Sequence, residues 1–391
     1  MSGLSIVLVN TQPVPSLGVG AASVNRLLSY TKGLIQQGSN VCVLSTAVGD
    51  SFEWKEYEGI PVKHLGKESE SVYRKLLGYL GTSRRLLKEL SQKEIDVVIF
   101  VTSNYFLTVL LEIYCRIKKI IVVNERSEFP FVLIRKNKWK RAIAPFYTNT
   151  AYRLLDGMIV MTKPLKEYYQ DKVRPNCKIF EMPMTVDVDR FLNAESTQNT
   201  IGNYIAYCGS LSNTNGISNL IEAFSYVEPL YPNLKLLIIG GTPNEKEMDG
   251  YKESVKEYGL NNVVFYGRVD RTAMPGLLIN AKALLLARRS NWQSTGGFPT
   301  KLGEYLATGN PVVVTAVGDI PLYLDETNSF IVKPDDNKAF AKRIIEVLAD
   351  EDHAAVVGKE GQKLALTVFS AKEQSKKLDK YLKDLVAAKQ K

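Results

Sequence analysis

The chain has 391 residues, of which 45% are hydrophobic and 23% charged, and it contains no long biased tract. This length predicts two domains of roughly 180–200 residues, and the composition excludes disordered and fibrous proteins. Residues 1–185 hold 26 Lys and Arg against 16 Asp and Glu, a net charge of +10, and the remainder carries −1. The excess positive charge of the chain is therefore N-terminal.

The N-terminus, MSGLSIVLVN, has no basic segment before its apolar run, and that run has the length of a strand. It indicates neither a signal peptide nor a membrane span, so we expect a cytoplasmic protein. Cys42, Cys115, Cys177 and Cys208 lie in or beside apolar segments without a C-x-x-C pair and predict buried free thiols. With two histidines in the chain, we expect no histidine-based metal site.

Apolar runs alternate with helical patterns along the first half of the chain. A helix is predicted from about 20 to 37, and strands are predicted at LSIVLVN, NVCVLS, DVVIFVT, KIIVVN and DGMIVMT. Strands interleaved with helices predict a parallel sheet that is covered on both faces.

The loop after the first strand contains Gly18 and Gly20 in a G-x-G-x-x-S pattern. This pattern is similar to a shortened dinucleotide fingerprint, in which glycines let the backbone approach a phosphate, but Ser23 replaces the third glycine. Three interpretations stay open: a plain turn, an NAD-binding loop, and a mobile loop that touches another ligand.

Two segments of the first half are strongly basic. Residues 74–88 carry five cationic side chains at helical spacings, and residues 135–141 read RKNKWKR. Such runs indicate either a solvated helix face or a contact with a membrane surface or an anionic acceptor.

A second series of strands begins near Asn203. It reads YIAYCGS, LKLLIIGG, NVVFYG, AKALLLA and NPVVVT, and residues 184–200 before it lose periodicity and predict a linker. We therefore predict domains at 1–185 and 186–369, with a C-terminal helix, 370–391, that packs back onto the first domain. Ligands of open α/β sheets bind outside the carboxyl ends of the strands, which predicts a cleft between the two sheets.

The segment GGFPTKLGEYLATGNPVVVT, residues 296–315, predicts an anion site at a helix start. Lys301 lies on this helix and Arg288 and Arg289 on the loop before it, and they supply positive charge near the N–H groups of its first turn. Glu304, one turn along, can accept hydrogen bonds from a ribose diol. The alternative is a Lys301–Glu304 pair on the helix surface, worth roughly 0.3–0.5 kcal/mol.

This segment, together with CGSLSNTNGISNLIEAF and LKLLIIGG upstream, resembles the retaining glycosyltransferases of family 4, and the similarity covers nearly the whole chain. The resemblance implies the GT-B fold, with two Rossmann-like parallel-sheet domains that face each other across a cleft. It implies transfer of a sugar, with retained configuration, from a nucleotide-diphosphate sugar to a hydroxyl of a saccharide or a lipid-linked saccharide. The expected context is bacterial surface polysaccharide biosynthesis, without a cofactor or a metal.

Two departures from the family pattern affect the donor site. The first of the family's two glutamates, which contacts the sugar, falls at Gly296, while Glu304 matches the second, which contacts the ribose. The usual diphosphate-binding arginine and lysine are replaced by Ser210 and Asn215, so we interpret Arg289 and Lys301 as the compensating pair.

The resemblance thus implies a set of site residues. Glu125, which follows the strand IIVV, is the candidate for orienting the acceptor or a sugar hydroxyl, unless it is a structural carboxylate paired with Arg126. Arg289 and Lys301 are the other predicted catalytic residues. The predicted donor-binding residues are Gly18, Gly20, Gly209, Ser210, Asn215, Arg268, Arg289, Gly296, Gly297, Phe298, Pro299, Thr300, Lys301 and Glu304.

The predicted partners are the nucleotide sugar, a saccharide or polyprenyl-diphosphate-linked acceptor, and an anionic membrane that the basic N-terminal domain contacts peripherally. No aromatic-basic module predicts nucleic-acid binding. Two other enzyme classes stay open. A nucleotide-sugar epimerase would share the two-domain architecture, and an NAD-dependent oxidoreductase would need Asp50 as the acidic partner of the ribose.

Overall fold

The structure, a computed structural model, describes residues 3–15, 21–67, 72–102, 104–130, 146, 148–194, 201–242 and 244–390. The chain divides into two compact units, residues 1–185 with 371–391, and residues 186–370. The first unit holds 33 Lys and Arg against 19 Asp and Glu, and the second holds 17 against 22. The positive charge of the chain is thus concentrated in the first unit, and the second unit is net negative.

The first unit contains an eight-stranded sheet. Its strands are β1 (Ser5–Asn10), β2 (Asn40–Val48), β3 (Trp54–Tyr57), β4 (Ile60–Gly66), β5 (Val97–Val101), β6 (Ile121–Arg126), β7 (Gly157–Val160) and β8 (Lys178–Glu181). The described helices between them are α1 (Ala21–Gln36), α2 (Val72–Ser91), α3 (Tyr105–Ile117) and α4 (Lys163–Gln170). The central strands are buried on both faces, which explains their continuous apolar runs.

The strand order in this sheet is β3-β4-β2-β1-β5-β6-β7-β8. The apolar runs predict only parallel strands, whereas β3 pairs antiparallel with β4. The two strands are joined by Glu58 and Gly59, both with positive φ (51° and 79°), as a two-residue hairpin turn requires. Because β3 is an edge strand with mostly exposed side chains, it has no apolar run to predict it.

The C-terminal helix (Ala371–Gln390) packs in the first unit against α1. A Cβ built on Gly33 would lie 2.0 Å from the Ser375 Oγ, so the two helices approach closely at this glycine. The Ser375 hydroxyl also donates a hydrogen bond to the Tyr30 carbonyl, at 3.2 Å. The first unit is therefore completed by a segment that follows the whole second unit in sequence.

The second unit contains a six-stranded, fully parallel sheet with the order β11-β10-β9-β12-β13-β14. Its strands are β9 (Tyr204–Cys208), β10 (Lys235–Ile239), β11 (Val263–Gly267), β12 (Leu284–Leu286), β13 (Val312–Thr315) and β14 (Phe330–Val332). Its α-helices in the described residues are α5 (Asp189–Leu192), α6 (Ile217–Val227), α7 (Glu245–Glu257), α8 (Met274–Ile279), α9 (Trp292–Gly296), α10 (Thr300–Thr308), α11 (Asn337–Ala349) and α12 (Glu351–Thr367). Two α/β units, one on a mainly parallel sheet and one on a fully parallel sheet, confirm the predicted α/β fold class.

No helix in the described part of the chain is long and apolar enough to cross a membrane. The four cysteines are free and buried, as predicted. Burial raises the pKa of Cys115, Cys177 and Cys208 to about 12. These thiols therefore pack as small apolar side chains.

Candidate functional site

The carboxyl ends of four neighbouring strands form one edge of the second sheet. Gly209 and Ser210 follow β9, Gly240 follows β10, Arg268 follows β11, and Arg289 follows β12 closely. A Cβ on Gly240 would lie 1.8 Å from the Gly209 carbonyl oxygen, so the backbones of two strand ends touch here. The predicted donor residues of the C-terminal domain therefore begin to converge at the sheet edge where ligands of such folds bind.

Gly296 and Gly297 lie at the junction of two helices in conformations that do not require glycine. Gly296 is buried as the last residue of α9. Gly297 has an extended backbone, with φ −102° and ψ 140°, which any residue adopts. The two glycines thus join a short helix to α10 without a left-handed conformation.

Phe298, Pro299 and Thr300 define where α10 begins. The Phe298 ring is buried against the rings of Tyr323 and Phe369, with centroids 5.7 and 5.6 Å away. Pro299 is the N-cap, and in the described residues no side chain caps the helix, which starts at Thr300. An aromatic anchor therefore holds a helix start whose first N–H groups have no side-chain cap.

Lys301 is held at this edge by β9. Its Nζ lies 2.6 Å from the Tyr207 Oη and 4.5 Å from the centroid of the Tyr207 ring. A Cβ on Gly209, whose φ is 151°, would lie 2.2 Å from the same Nζ, so only glycine leaves space for the ammonium group. The ammonium is thereby placed beside the backbone that follows β9.

The pKa of Lys301 is lowered to about 7, because burial disfavours the charged amine and the Arg288 guanidinium repels it. Arg288 is itself buried and donates from Nη1 to the Gly297 carbonyl, at 3.2 Å. An anion at this edge would offset both the burial and the repulsion. Two cationic side chains held close together at this edge therefore favour the binding of an anion.

Arg289 points away from this pair of cations. It is about half exposed, and its Nε lies 3.0 Å from the Asp335 Oδ1 while its Nη1 donates to the Asn213 Oδ1 at 3.4 Å. The cation that shares the site with Lys301 is thus Arg288, and the predicted role of Arg289 stays a prediction.

Ser210 and Asn215 shape the loop after β9. The Ser210 carbonyl accepts hydrogen bonds from the Tyr207 hydroxyl, at 2.7 Å, and from the Asn215 side-chain amide, at 2.9 Å. Tyr207 therefore connects this loop to Lys301 through one hydroxyl group.

Arg268, another predicted donor-binding residue, is exposed beyond β11. A Cβ on Gly241 would lie 2.9 Å from the Arg268 Nε.

Glu304 is paired with a residue far from it in sequence. Its Oε1 lies 3.2 Å from the Arg190 Nη1, and Arg190 also donates from Nη2 to the Arg271 carbonyl, at 2.7 Å. Burial raises the pKa of Glu304, while Arg190 is the largest influence that lowers it. The alternative of a Lys301–Glu304 surface pair is not what is observed, because each side chain is held by a different element.

Glu125 of the first unit lies in a closed, buried cluster. The Arg26 Nε is 2.6 Å from its Oε1, and the Tyr30 hydroxyl donates to its Oε2 at 2.6 Å. The structural alternative named the wrong partner: Arg126 donates to the Thr102 carbonyl, on the other side of the strand. Since both carboxylate oxygens are engaged by buried donors, the geometry supports a structural role, and the acceptor contact stays a prediction.

Several predicted features fall outside the described residues, namely Gly18, Gly20 and the basic run 135–141. The start of the glycine loop is nevertheless anchored, because the Val14 N–H donates to the His64 Nε2 at 3.0 Å. The sequence named Arg288, beside Arg289 and Lys301, as a source of positive charge at this site, but Arg288 was not among the predicted donor-binding residues. Arg190 and Tyr207 were not assigned to the site, because neither lies near the glycine segment in the sequence.

Two family models match the chain. The model of "Glycosyl transferases group 1" matches residues 189–364, and that of "Glycosyltransferase Family 4" matches residues 23–190. Among curated relatives, a trehalose phosphorylase of Grifola frondosa is 28% identical over 167 residues, which is 38% of this chain and 22% of the relative. The capsular polysaccharide biosynthesis glycosyltransferase CapM of Staphylococcus aureus is 27% identical over 168 residues, which is 43% of this chain and 42% of the relative.

The chain thus matches less than half the length of either relative. Anabaena HepE, solved in complex with UDP, superposes with a TM-score of 0.74 at 16% identity, covering 97% of this chain and 100% of that one. At this identity the likeness shows the fold. Together the two family models span residues 23–364, and the chain belongs to the group 1 glycosyltransferases of family 4.

Proposed function

We propose that the chain transfers a sugar from a nucleoside-diphosphate sugar to a hydroxyl acceptor, with the donor diphosphate bound at the carboxyl edge of the second sheet. The observation that carries the proposal is the Lys301 ammonium, held over Tyr207 beside Gly209 and the start of α10. Family membership supports the reaction class, and the HepE complex supports a nucleoside diphosphate as the ligand of this fold.

The site would act mainly on the leaving group. When the bond between the anomeric carbon and the diphosphate oxygen breaks, its electron pair stays on the diphosphate. Lys301, Arg288 and the N–H groups at the start of α10 would stabilise this added charge. A preorganised donor of this kind contributes on the order of 3 kcal/mol to the transition state. The acceptor oxygen then forms the new bond to the anomeric carbon, and its proton passes to an oxygen of the leaving diphosphate.

Glu304 would bind the ribose of the donor. Its carboxylate lies one turn into α10, beyond the diphosphate position, and about a fifth of its side chain is exposed. At Gly296 the family's first glutamate is absent, so contacts to the sugar would come from the backbone or from another side chain. Retention of configuration is part of the proposal through the family resemblance.

The acceptor would be a saccharide or lipid-linked saccharide of a surface polysaccharide pathway, at an anionic membrane face. The charge of the first unit supports this, as does the capsular polysaccharide role in the name of CapM. Exposed apolar and cationic side chains also lie on neighbouring helices: Leu80, Arg84 and Lys88 on α2, and Phe106 and Ile117 on α3. Equal co-sedimentation with anionic and neutral vesicles would contradict an electrostatic contact.

Calorimetric titration tests the donor site. We would titrate the purified chain with UDP, GDP, TDP, CMP and NADH, and repeat the titrations with Lys301→Met, Glu304→Gln and Lys252→Met, an exposed lysine on α7. We expect one nucleoside diphosphate to bind, with affinity lowered at least tenfold in the first two variants and unchanged in the control.

Two outcomes would favour the other enzyme classes. Binding of NADH alone would support an oxidoreductase. Conversion of a nucleotide sugar to its epimer without any acceptor would support an epimerase, whereas release of nucleoside diphosphate only in the presence of an acceptor would support the transferase.

A further inference from the structure

The first helix of the second unit contacts the proposed ribose carboxylate. Arg190 lies on α5, four residues after the unit begins at Val186, and 114 positions before Glu304. Its guanidinium makes two hydrogen bonds, one to the Glu304 Oε1 and one to the Arg271 carbonyl. Because the guanidinium is planar, two acceptors on different elements fix its orientation.

This contact uses one of the two carboxylate oxygens of Glu304. Within the described residues, its carboxylate receives one hydrogen bond, from Arg190 to Oε1. The side chains of Arg190 and Glu304 are 19% and 22% exposed, and Oε2 is not among the fully buried side-chain atoms without a hydrogen bond in the described residues, which leaves it open to a ligand. This geometry differs from that of a purely structural buried pair, in which both oxygens are satisfied.

The described residues attach α5 to the unit at points other than Arg190. The neighbouring Phe191 is buried, and the Phe191 N–H donates to the Val188 carbonyl within the same short segment. The segment is also joined to the C-terminal side of the unit, because the Val186 N–H donates to the Phe369 carbonyl at 2.8 Å. Since α5 has other attachments, the contact of Arg190 with Glu304 can serve a second purpose.

We propose that Arg190 is a positioning residue for the donor nucleotide: it holds the Glu304 Oε1 so that Oε2 faces the ribose hydroxyls. This inference rests on the proposed function. The Arg190 charge also opposes the effect of burial on the pKa of Glu304, as do Arg271 and Lys301, and this favours the ionised, accepting form. The expected consequence is a preference for ribonucleotides over deoxyribonucleotides that depends on Arg190.

The test is calorimetric titration of the full chain with UDP and with 2′-deoxy-UDP, or with GDP and 2′-deoxy-GDP if the first screen selects guanine. Arg190→Met, Glu304→Gln and the double variant are compared with wild type. Arg343→Met is the matched control, since Arg343 pairs with Glu326 and Glu346 on the surface of the same unit.

We expect Arg190→Met to lower the affinity for the ribonucleotide about tenfold and to leave the affinity for the deoxyribonucleotide unchanged. The double variant should bind no more weakly than Glu304→Gln, and Arg343→Met should match wild type. If Arg190→Met does not fold by circular dichroism, Arg190→Lys is measured instead; it keeps the charge but loses the second fixed hydrogen bond, and should weaken ribonucleotide binding selectively.

Suppose that Glu304→Gln abolishes the preference for the ribonucleotide. If Arg190→Met then lowers the affinity for both nucleotides equally, or leaves the preference unchanged, the inference for Arg190 alone is overturned. If Glu304→Gln itself keeps the preference, the ribose site is misplaced, and the proposed site of the nucleotide and the role of Arg190 fail together.

Discussion

The two units each place an arginine–glutamate pair near the carboxyl edge of a parallel sheet, and the two pairs differ in what surrounds them. In the first unit, Glu125 and Arg26 are 4% and 3% exposed, and Tyr30 occupies the second carboxylate oxygen. In the second unit, Glu304 and Arg190 are partly exposed, and one carboxylate oxygen is left for a ligand.

The difference shows that residue type alone does not separate a structural carboxylate from a binding one. A buried pair whose hydrogen-bonding capacity is filled has no oxygen left for a ligand. Removing one partner of such a pair destabilises the protein, because it leaves the other charge buried and uncompensated. A partly exposed pair contributes little to stability and keeps an oxygen for recognition. We therefore expect stability effects in the first unit and binding effects in the second.

The largest expected effect is on the stability of the first unit. Glu125→Gln keeps the side-chain shape but leaves the Arg26 charge buried without its partner, and breaking a buried pair in this way costs about 3–5 kcal/mol. Differential scanning calorimetry should show that the first unit of this variant unfolds at a lower temperature than in wild type. Glu304→Gln, the matched change in the second unit, should cost less than about 1 kcal/mol. Equal effects of the two variants would remove the distinction between the pairs.

The next effect is a pH dependence of nucleotide binding in the second unit. Since the pKa of Lys301 is about 7 in the unliganded protein, the amine is charged below pH 7 and neutral above it. The charged form binds the diphosphate, so the affinity for UDP should fall by up to about tenfold for each pH unit above 7. Calorimetry between pH 7 and 9 measures this, because the phosphate itself titrates near pH 6.

Lys301→Arg is the control for this pH dependence, because a guanidinium stays charged throughout this range. Its affinity for UDP should be nearly constant from pH 7 to 9. A wild-type affinity that is equally constant would show that Lys301 does not contact the diphosphate.

The smallest effect separates the two neighbouring arginines. Arg289→Met should change the affinity for UDP by less than about threefold, since an exposed pair with Asp335 is worth roughly 0.2–1 kcal/mol. Arg288→Met removes the cation that repels Lys301 and should move the fall in affinity to higher pH. If instead Arg289→Met shifts the pH profile and Arg288→Met does not, the assignment of the two arginines is reversed.

Prediction from sequence succeeded for the strands with continuous apolar runs and failed for the strands that are short or mixed in burial. The five predicted strands of each half are present, because strands buried on both faces of a parallel sheet have continuous apolar sequences. Four strands in the described residues were missed. The edge strands β3 and β8 have partly or mostly exposed side chains, β4 mixes buried with exposed residues and contains Pro61, and the edge strand β14 has three residues. Local pattern therefore predicts the centre of a sheet better than its edges.

For the site, sequence placed Lys301 and Glu304 near a helix start, because helix periodicity and the proline signal are local. It did not predict that Glu125 pairs with Arg26, 99 positions away, and it chose Arg289 instead of Arg288 as the partner cation of Lys301. Those contacts depend on which face of a strand a side chain occupies and on which helix covers that face.

The sequence by itself determined the two α/β domains, the excess of positive charge at the N-terminal end and the segment from Gly296 to Thr315 that carries the family resemblance. Only the tertiary structure decided which carboxylate is closed and which is accessible, and that Tyr207 and Arg190 hold Lys301 and Glu304. The physical reason is that burial and electrostatic contact depend on distance in space, and residues such as Arg190 and Glu304, 114 positions apart in the chain, become neighbours only when the unit folds.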